Sequence, residues 1–192
     1  MYLGYTIHET ASVHPSVIVG RNCKIGANVV IGPYGDSPSS IIIGEGCIIH
    51  DNVRIQVAHL VMGENCKVHN HVTMLAGTIL IGNNAWIGQR SHLDGTCELE
   101  LGDDVTIGFN CHVWTHSNRG SLPKGSNLIT CKPTVLEDKV WLMGCNTVVN
   151  PGVTMRKGSV ALANAVVTHD TEPNCIYGGI PAKKIRNGAW RD

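Results

Sequence analysis

Apolar anchors recur at every sixth residue through most of this chain, and few folds accommodate that period. Ile7, Val13, Val19, Ile25 and Ile31 fall six apart, with Gly20, Gly26 and Gly32 directly after the last three. The beat resumes at Ile43, Ile49 and Ile55, at Met62, Val68 and Met74, at Ile81, Ile87 and Leu93, and at Leu101, Ile107 and Val113. Each restart is offset by a residue or two. The position four after an anchor is also restricted: Val17, Cys23, Val29, Cys47, Val53, Cys66, Val72, Ala85, Cys97, Val105 and Cys111 are all small or β-branched. Residues two apart on an extended strand share a face, so this small residue and the next anchor point inward while the residue between them points out. Cys23 and Ile25 are therefore core and Lys24 is surface; Arg54, Lys67, Trp86, Thr106 and His112 turn outward by the same rule. Gly, Asn and Asp follow the anchors, as in Gly82-Asn83-Asn84 and Gly102-Asp103-Asp104, where tight turns favour them.

An α-helix is excluded, because its apolar face returns every 3.6 residues. Short strands joined by turns and repeated without change stack in parallel as a solenoid, each hexad forming one wall and three hexads one triangular coil. The repeats span about residues 7–170 of 192, leaving a tail at 171–192 and one domain over 1–192. A single Phe suits a narrow core of Ile, Val, Leu and Cys. Fifteen basic and fifteen acidic side chains balance, which argues against nucleic-acid or membrane-surface binding as the main task. No apolar run approaches a membrane span, and the opening MYLGYTIHETASV lacks the basic and apolar regions of a signal peptide, so a cytoplasmic protein is expected. None of the eight cysteines forms a CxxC pair, and five take the small inward position; they are read as buried reduced thiols used for packing.

Chemistry on a solenoid gathers where the repeat breaks, because insertions leave an otherwise uniform rod. Residues 32–41, GPYGDSPSSI, keep the beat only with Ser37 at an anchor, and read either as a loop or as a degenerate pair of hexads. A longer break runs from 115 to 133, where THSNRGSLPKGSNLITCKP has no apolar periodicity. His116 stands at its entry, beside the outward His112. An imidazole at the base of such a loop suits general-base catalysis near neutral pH.

Beyond the loop the chain reads Val140-Trp141-Leu142-Met143-Gly144, Asn150-Pro151-Gly152-Val153-Thr154-Met155, Ala163-Asn164-Ala165-Val166-Val167-Thr168-His169-Asp170, Glu172-Pro173-Asn174 and Gly179-Ile180-Pro181-Ala182-Lys183-Lys184-Ile185. With the hexad beat and the histidine-led loop, this ending resembles the hexapeptide-repeat acyltransferases, in particular the branch of galactoside, maltose and xenobiotic acetyltransferases. The resemblance implies an all-β, left-handed parallel β-helix with a protruding loop, assembled as a homotrimer with sites in the clefts between neighbouring coils. It implies an acetyl-CoA-dependent O- or N-acetyltransferase of a sugar or nucleotide-linked sugar, with no metal.

The family's catalytic base falls on His116 in preference to His112. Its thioester contact falls on the backbone N–H of Gly144 or Cys145; an extra residue at Leu142-Met143, where the family has Trp-Ile-Gly, leaves that choice open. Ala163, 18 residues after Cys145, shares its wall and belongs to the groove for the pantetheine arm. Trp141, Thr168 and Pro181 complete the expected cofactor contacts. His169 replaces the family's usual Lys, and Lys183, Lys184 and Arg186 are expected to serve the CoA phosphates instead. The family's acceptor-orienting Asn aligns near Gly88, which has no side chain to offer, so Gln89, Arg90 or Asp94 is the substitute. Outward Trp86 and His112 are added to the acceptor side, although Trp86 suits a subunit interface equally well. Two rivals share the fold: a γ-carbonic-anhydrase-like zinc enzyme, suggested by the abundant histidines including His69 and His71, and a non-catalytic assembly subunit.

Overall fold

The computed structural model describes residues 4–36, 39–117 and 130–189. Its strands wind into a left-handed parallel β-helix of about 8 turns. The first wall stacks Thr6–Ile7, Lys24–Ile25, Ile48–Ile49, Lys67–Val68, Trp86–Ile87, Thr106–Phe109, Trp141–Cys145, Val160–Ala161 and Cys175–Gly178 in parallel. The second carries Ser12–Val13, Val30–Gly32, His92–Asp94, His112–Val113, Val148–Val149 and Val166–Val167, and the third Ile18–Val19, Ser40–Ile43, Leu99–Leu101, Thr134–Leu136 and Thr154–Met155. Two nine-residue strands, Arg54–Met62 and Thr73–Ile81, run round the corner and belong to both.

Alternation places the side chains as the hexads require. Ile25, Ile49, Val68, Ile87, Ile107, Leu142 and Ala161 form one inward column, all buried, while Lys24, Lys67 and Trp86 beside them are exposed. Full burial of each large aliphatic chain in such a column contributes about 1.5–3 kcal/mol. Ile7 is an exception at 39% exposure: among the described residues no strand stacks on the outer side of Thr6–Ile7. Corners are turned by residues in the left-handed region, with asparagine at 22, 28, 52, 65, 84, 110, 146 and 164. Some of these stack into amide ladders: Asn110 donates to Asn146 at 2.8 Å and Asn146 to Asn164 at 3.1 Å.

In the break at 32–41, Gly32 ends the strand Val30–Gly32 on the second wall, and Ser40 and Ile41 begin the strand Ser40–Ile43 on the third; residues 33–36 and 39 belong to no strand, and Ser37, the expected anchor, lies outside the described residues. The longer break begins as an antiparallel pair, His116–Ser117 against Thr130–Cys131, and residues 118–129 lie outside the described set. Parallel stacking continues to Gly178, after which Lys183–Asn187 folds back antiparallel on Cys175–Gly178. Among the described residues no helix is long and apolar enough to cross a membrane.

One expectation about the core fails. Cys97 is not a free thiol but is bonded to Cys131, 34 residues on, with their Cα atoms 5.3 Å apart. The hexad explains why Cys97 is inward; its partner sits in an aperiodic stretch that the register does not place. Cys23, Cys47, Cys66 and Cys111 are buried free thiols, and burial pushes those of Cys23 and Cys111 up, so they pack as neutral groups.

Candidate active site

The loop entry holds a buried acid against an accessible imidazole. Strand His92–Asp94 ends at the corner between the second and third walls, and the next coil delivers Thr115 and His116 to the same corner. Asp94 Oδ2 lies 2.7 Å from His116 Nδ1, with the acid side chain 4% and the imidazole 28% exposed. The Thr115 N–H and hydroxyl donate to the same oxygen at 2.9 and 2.8 Å, and the Thr96 N–H and hydroxyl donate to Oδ1 at 3.1 and 2.5 Å. Burial alone would raise the Asp94 carboxyl, but the hydrogen bonds from Thr96, Thr115 and His116 outweigh it and hold the group well below the ordinary carboxylate range. An ionised carboxylate only accepts, so the proton in the contact belongs to Nδ1, and in the neutral imidazole the lone pair is left on Nε2. That is the tautomer a general base needs.

Around the dyad lie three more rings. Trp114 meets His116 edge-on at 6.2 Å and tilts against His92 at 4.9 Å, and His112 stacks parallel to Trp114 at 6.1 Å. Burial, then the neighbouring His112, pushes the His92 imidazole down, so it stays neutral at neutral pH and adds no charge beside the base. His112 Nδ1 is buried without a hydrogen-bond partner among the described residues. Next to His116, a cleft of about 370 Å³ is lined by Ser117, Thr130, Lys132, Asn150, Pro151, Thr168 and His169.

The expected residues divide among several places. Asp94, His112 and His116 come together, and Thr168 lines the adjacent cleft, its hydroxyl 2.9 Å from His169 Nδ1. Asp94 faces His116 and the two threonines. Gln89 and Arg90 occupy the corner of the preceding wall, where Arg90 lies 5.9 Å from the Phe109 ring and the Gln89 carbonyl accepts from Asn110. Trp86 is farther along that wall, packed on His69 at 4.3 Å with the Lys67 ammonium 5.4 Å from its ring.

Gly144, Cys145 and Ala163 stack at the corner between the first and second walls. The extra residue there is taken up as a bulge: Ile107 pairs with Leu142 and Phe109 with Cys145, so Met143 and Gly144 together oppose the single Gly108. Gly144 sits at φ +85° directly over Ala163, and the Asn164 N–H donates to the Cys145 carbonyl. Gly108 beneath must lack a side chain, since a Cβ would fall 2.0 Å from the Gly144 carbonyl oxygen. Among the described residues the Ala163 N–H has no hydrogen-bond partner. Trp141 opens instead onto a groove of about 510 Å³ on the first wall with Thr106, Lys139 and Lys157. Pro181, Lys183 and Arg186 are exposed at the end of the coil, and Lys184 is held 2.6 Å from Glu172.

For the zinc reading, His69 stacks between His50 and Trp86, and His71 is exposed in a turn at φ +62°. Among the described residues no group of three or more His, Cys, Asp or Glu is placed to hold a metal ion. Thr96, Thr115, His92 and Trp114 are the site residues that sequence reasoning missed. The available signal was coil arithmetic: Leu93 stacks on Val113, so whatever follows either anchor meets at one corner.

Comparison with known proteins bears on the fold and on the kind of sequence. The family model described as the hexapeptide repeat of succinyl-transferase matches residues 11–33 and 16–56. Galactoside O-acetyltransferase of Escherichia coli is 34% identical over 96 residues, covering 49% of this chain and 46% of that protein. The chain thus spans less than half the length of such curated relatives in these matches. Among solved structures, the polySia-specific acetyltransferase NeuO superposes with a TM-score of 0.61 at 19% identity, covering 98% of this chain and 89% of that one. A variant of AntD, an N-acyltransferase from Bacillus cereus in complex with dTDP and coenzyme A, gives 0.61 at 16% identity, over 97% and 82%. These superpositions speak for the fold. Its repeat and its coil give the chain a hexapeptide-repeat, left-handed β-helix fold, and its partial sequence matches are to acetyltransferases and to the hexapeptide-repeat model.

Proposed function

We propose that the protein is an acyl-CoA-dependent acyltransferase that acetylates a hydroxyl or amine of a sugar or nucleotide-linked sugar, with His116 as general base. The observation that carries this reading is the Asp94–His116 contact at the entry of the long loop. His116 Nε2 takes the proton of the acceptor hydroxyl or amine as that group attacks the thioester carbonyl, and returns it to the departing CoA sulfur. Asp94 stays ionised throughout and steadies the imidazolium. Backbone N–H groups at the Gly144–Cys145 bulge are the candidates for the oxyanion, and the unpaired Ala163 N–H for the pantetheine amide. One chain presents the base and the stacked glycine–alanine groove at different corners, which suits a site completed by a neighbouring subunit in a trimer. Similarity to a galactoside O-acetyltransferase, and to folds of sugar-linked acyltransferases, supports the class of acceptor.

The test is CoA release from acetyl-CoA, followed against a panel of hexoses, amino sugars and nucleotide sugars, for the wild type and His116→Ala. Acceptor-dependent release that falls by roughly two to four orders of magnitude in the variant, with acetyl-CoA affinity retained, is expected. Equal release by both proteins would refute the assignment of the base.

A further inference from the structure

The disulfide and the dyad belong to one closed ring of contacts. Cys131 lies on the return limb of the long loop, where Thr130–Cys131 pairs antiparallel with His116–Ser117, the strand that carries the imidazole. Its sulfur is bonded to Cys97, one coil earlier. The Cys97 N–H donates to the Thr115 hydroxyl at 2.9 Å, and that hydroxyl donates to Asp94 Oδ2, the oxygen that receives His116 Nδ1. The Lys132 N–H to Thr115 carbonyl bond closes the ring from the other side. A ladder of two residues on two strands is marginal when unsupported. Here its far strand is tied covalently to the residue that also orients Thr115.

We propose that the Cys97–Cys131 disulfide is a positioning element for His116, and that its reduction slows the chemical step by letting the imidazole leave Asp94. The kinetic part rests on the acyltransferase reading; the geometric part does not. Cys131 is exposed and Cys97 is 9% exposed, so a dithiol thiolate attacks the Cys131 sulfur and the Cys97 thiolate leaves and is protonated. The second thiol of the reagent then displaces Cys131. Two electrons and two protons pass to the protein, and the reagent becomes a cyclic disulfide. Cys23, Cys47, Cys66, Cys111, Cys145 and Cys175 are thiols already and take no part.

Three states of the protein test this: oxidised with glutathione disulfide, reduced with dithiothreitol, and Cys131→Ser, whose exposed position spares the core. Alkylation and peptide mass spectrometry assign the bond, and long-range proton–nitrogen NMR correlation reads the His116 tautomer. Oxidised protein is expected to show a single Nδ1–H tautomer, and the other two states a mixture containing Nε2–H. With acetyl-CoA and the sugar panel, kcat is expected to fall about tenfold in those two states at unchanged KM for acetyl-CoA, and Cys131→Ser to be indifferent to dithiothreitol. The same tautomer in all three states overturns the proposal whatever the turnover, as does alkylation of both Cys97 and Cys131 after oxidation. A tautomer shift in a protein that binds no acetyl-CoA would uphold the positioning role and sink the acyltransferase reading instead.

Discussion

Replacing Asp94 by Asn separates the charge of the dyad from its shape. The carboxylate accepts five hydrogen bonds, two on Oδ1 from Thr96 and three on Oδ2 from Thr115 and His116. The amide has nearly the same outline but one accepting oxygen. If that oxygen keeps Thr115 and His116, the NH2 faces the Thr96 N–H; if it keeps Thr96, the NH2 faces the Thr115 N–H and forces His116 to offer its Nδ1 lone pair, moving the proton to Nε2. Each arrangement loses the charge-assisted bond to imidazole, about 1.5–3 kcal/mol. At roughly 1.4 kcal/mol per factor of ten, that corresponds to a fall in kcat of about ten- to 150-fold, smaller than the loss on removing the base. The buried N–H set against another donor costs about 1–3 kcal/mol of stability. Asp94 also leaves a signature in acid. Its folded pKa is depressed, so its contribution is complete above the ordinary value of 3.8 and is lost as pH falls from there toward the folded value. Urea unfolding from about pH 5 to pH 2 is therefore expected to show a shallower acid limb for Asp94→Asn than for the wild type. A folded variant with wild-type kcat, or with an unchanged acid limb, would refute the reasoning.

Other outcomes follow from separate parts of the structure. Gly108→Ala is expected to lower stability by about 1–3 kcal/mol, read from the thermal midpoint, because its Cβ meets the Gly144 carbonyl oxygen and the bulge has to move. Ala163→Leu, at an exposed position, is expected to weaken acetyl-CoA binding at least about tenfold in calorimetry while leaving the thermal midpoint within a degree or two, since it fills the groove and not the core. Lys183→Ala with Arg186→Ala is expected to raise KM for acetyl-CoA by roughly three- to tenfold at unchanged saturating kcat, as exposed cations serving phosphates would; Lys184, already paired with Glu172, should matter less.

The coil was legible because the hexad is a physical repeat. An inward position such as Val68 lies between Ile49 and Ile87 in space as it does in the beat, and local alternation alone decides its face. The surplus residue at Leu142-Met143 was visible in the same way, and the structure absorbs it as a bulge at that point. His116 could be singled out because a polar loop leaves the coil at that residue. Its partner was harder: Asp94 occupies an ordinary post-anchor position, and only the stacking of Leu93 on Val113 brings that corner to the loop. Cys131 could not be placed, since nothing periodic surrounds it and the hexad makes Cys97 look like every other inward cysteine. Trp86 was read correctly as exposed, but its packing on His69 depends on which residues the neighbouring coil turns to the same corner.

Calorimetric titration of the protein with acetyl-CoA, before any acceptor is known, is the most direct test of the central claim. The account predicts saturable binding near one acetyl-CoA per chain, retained in His116→Ala and weakened in Ala163→Leu. No saturable binding to the folded wild type would contradict it.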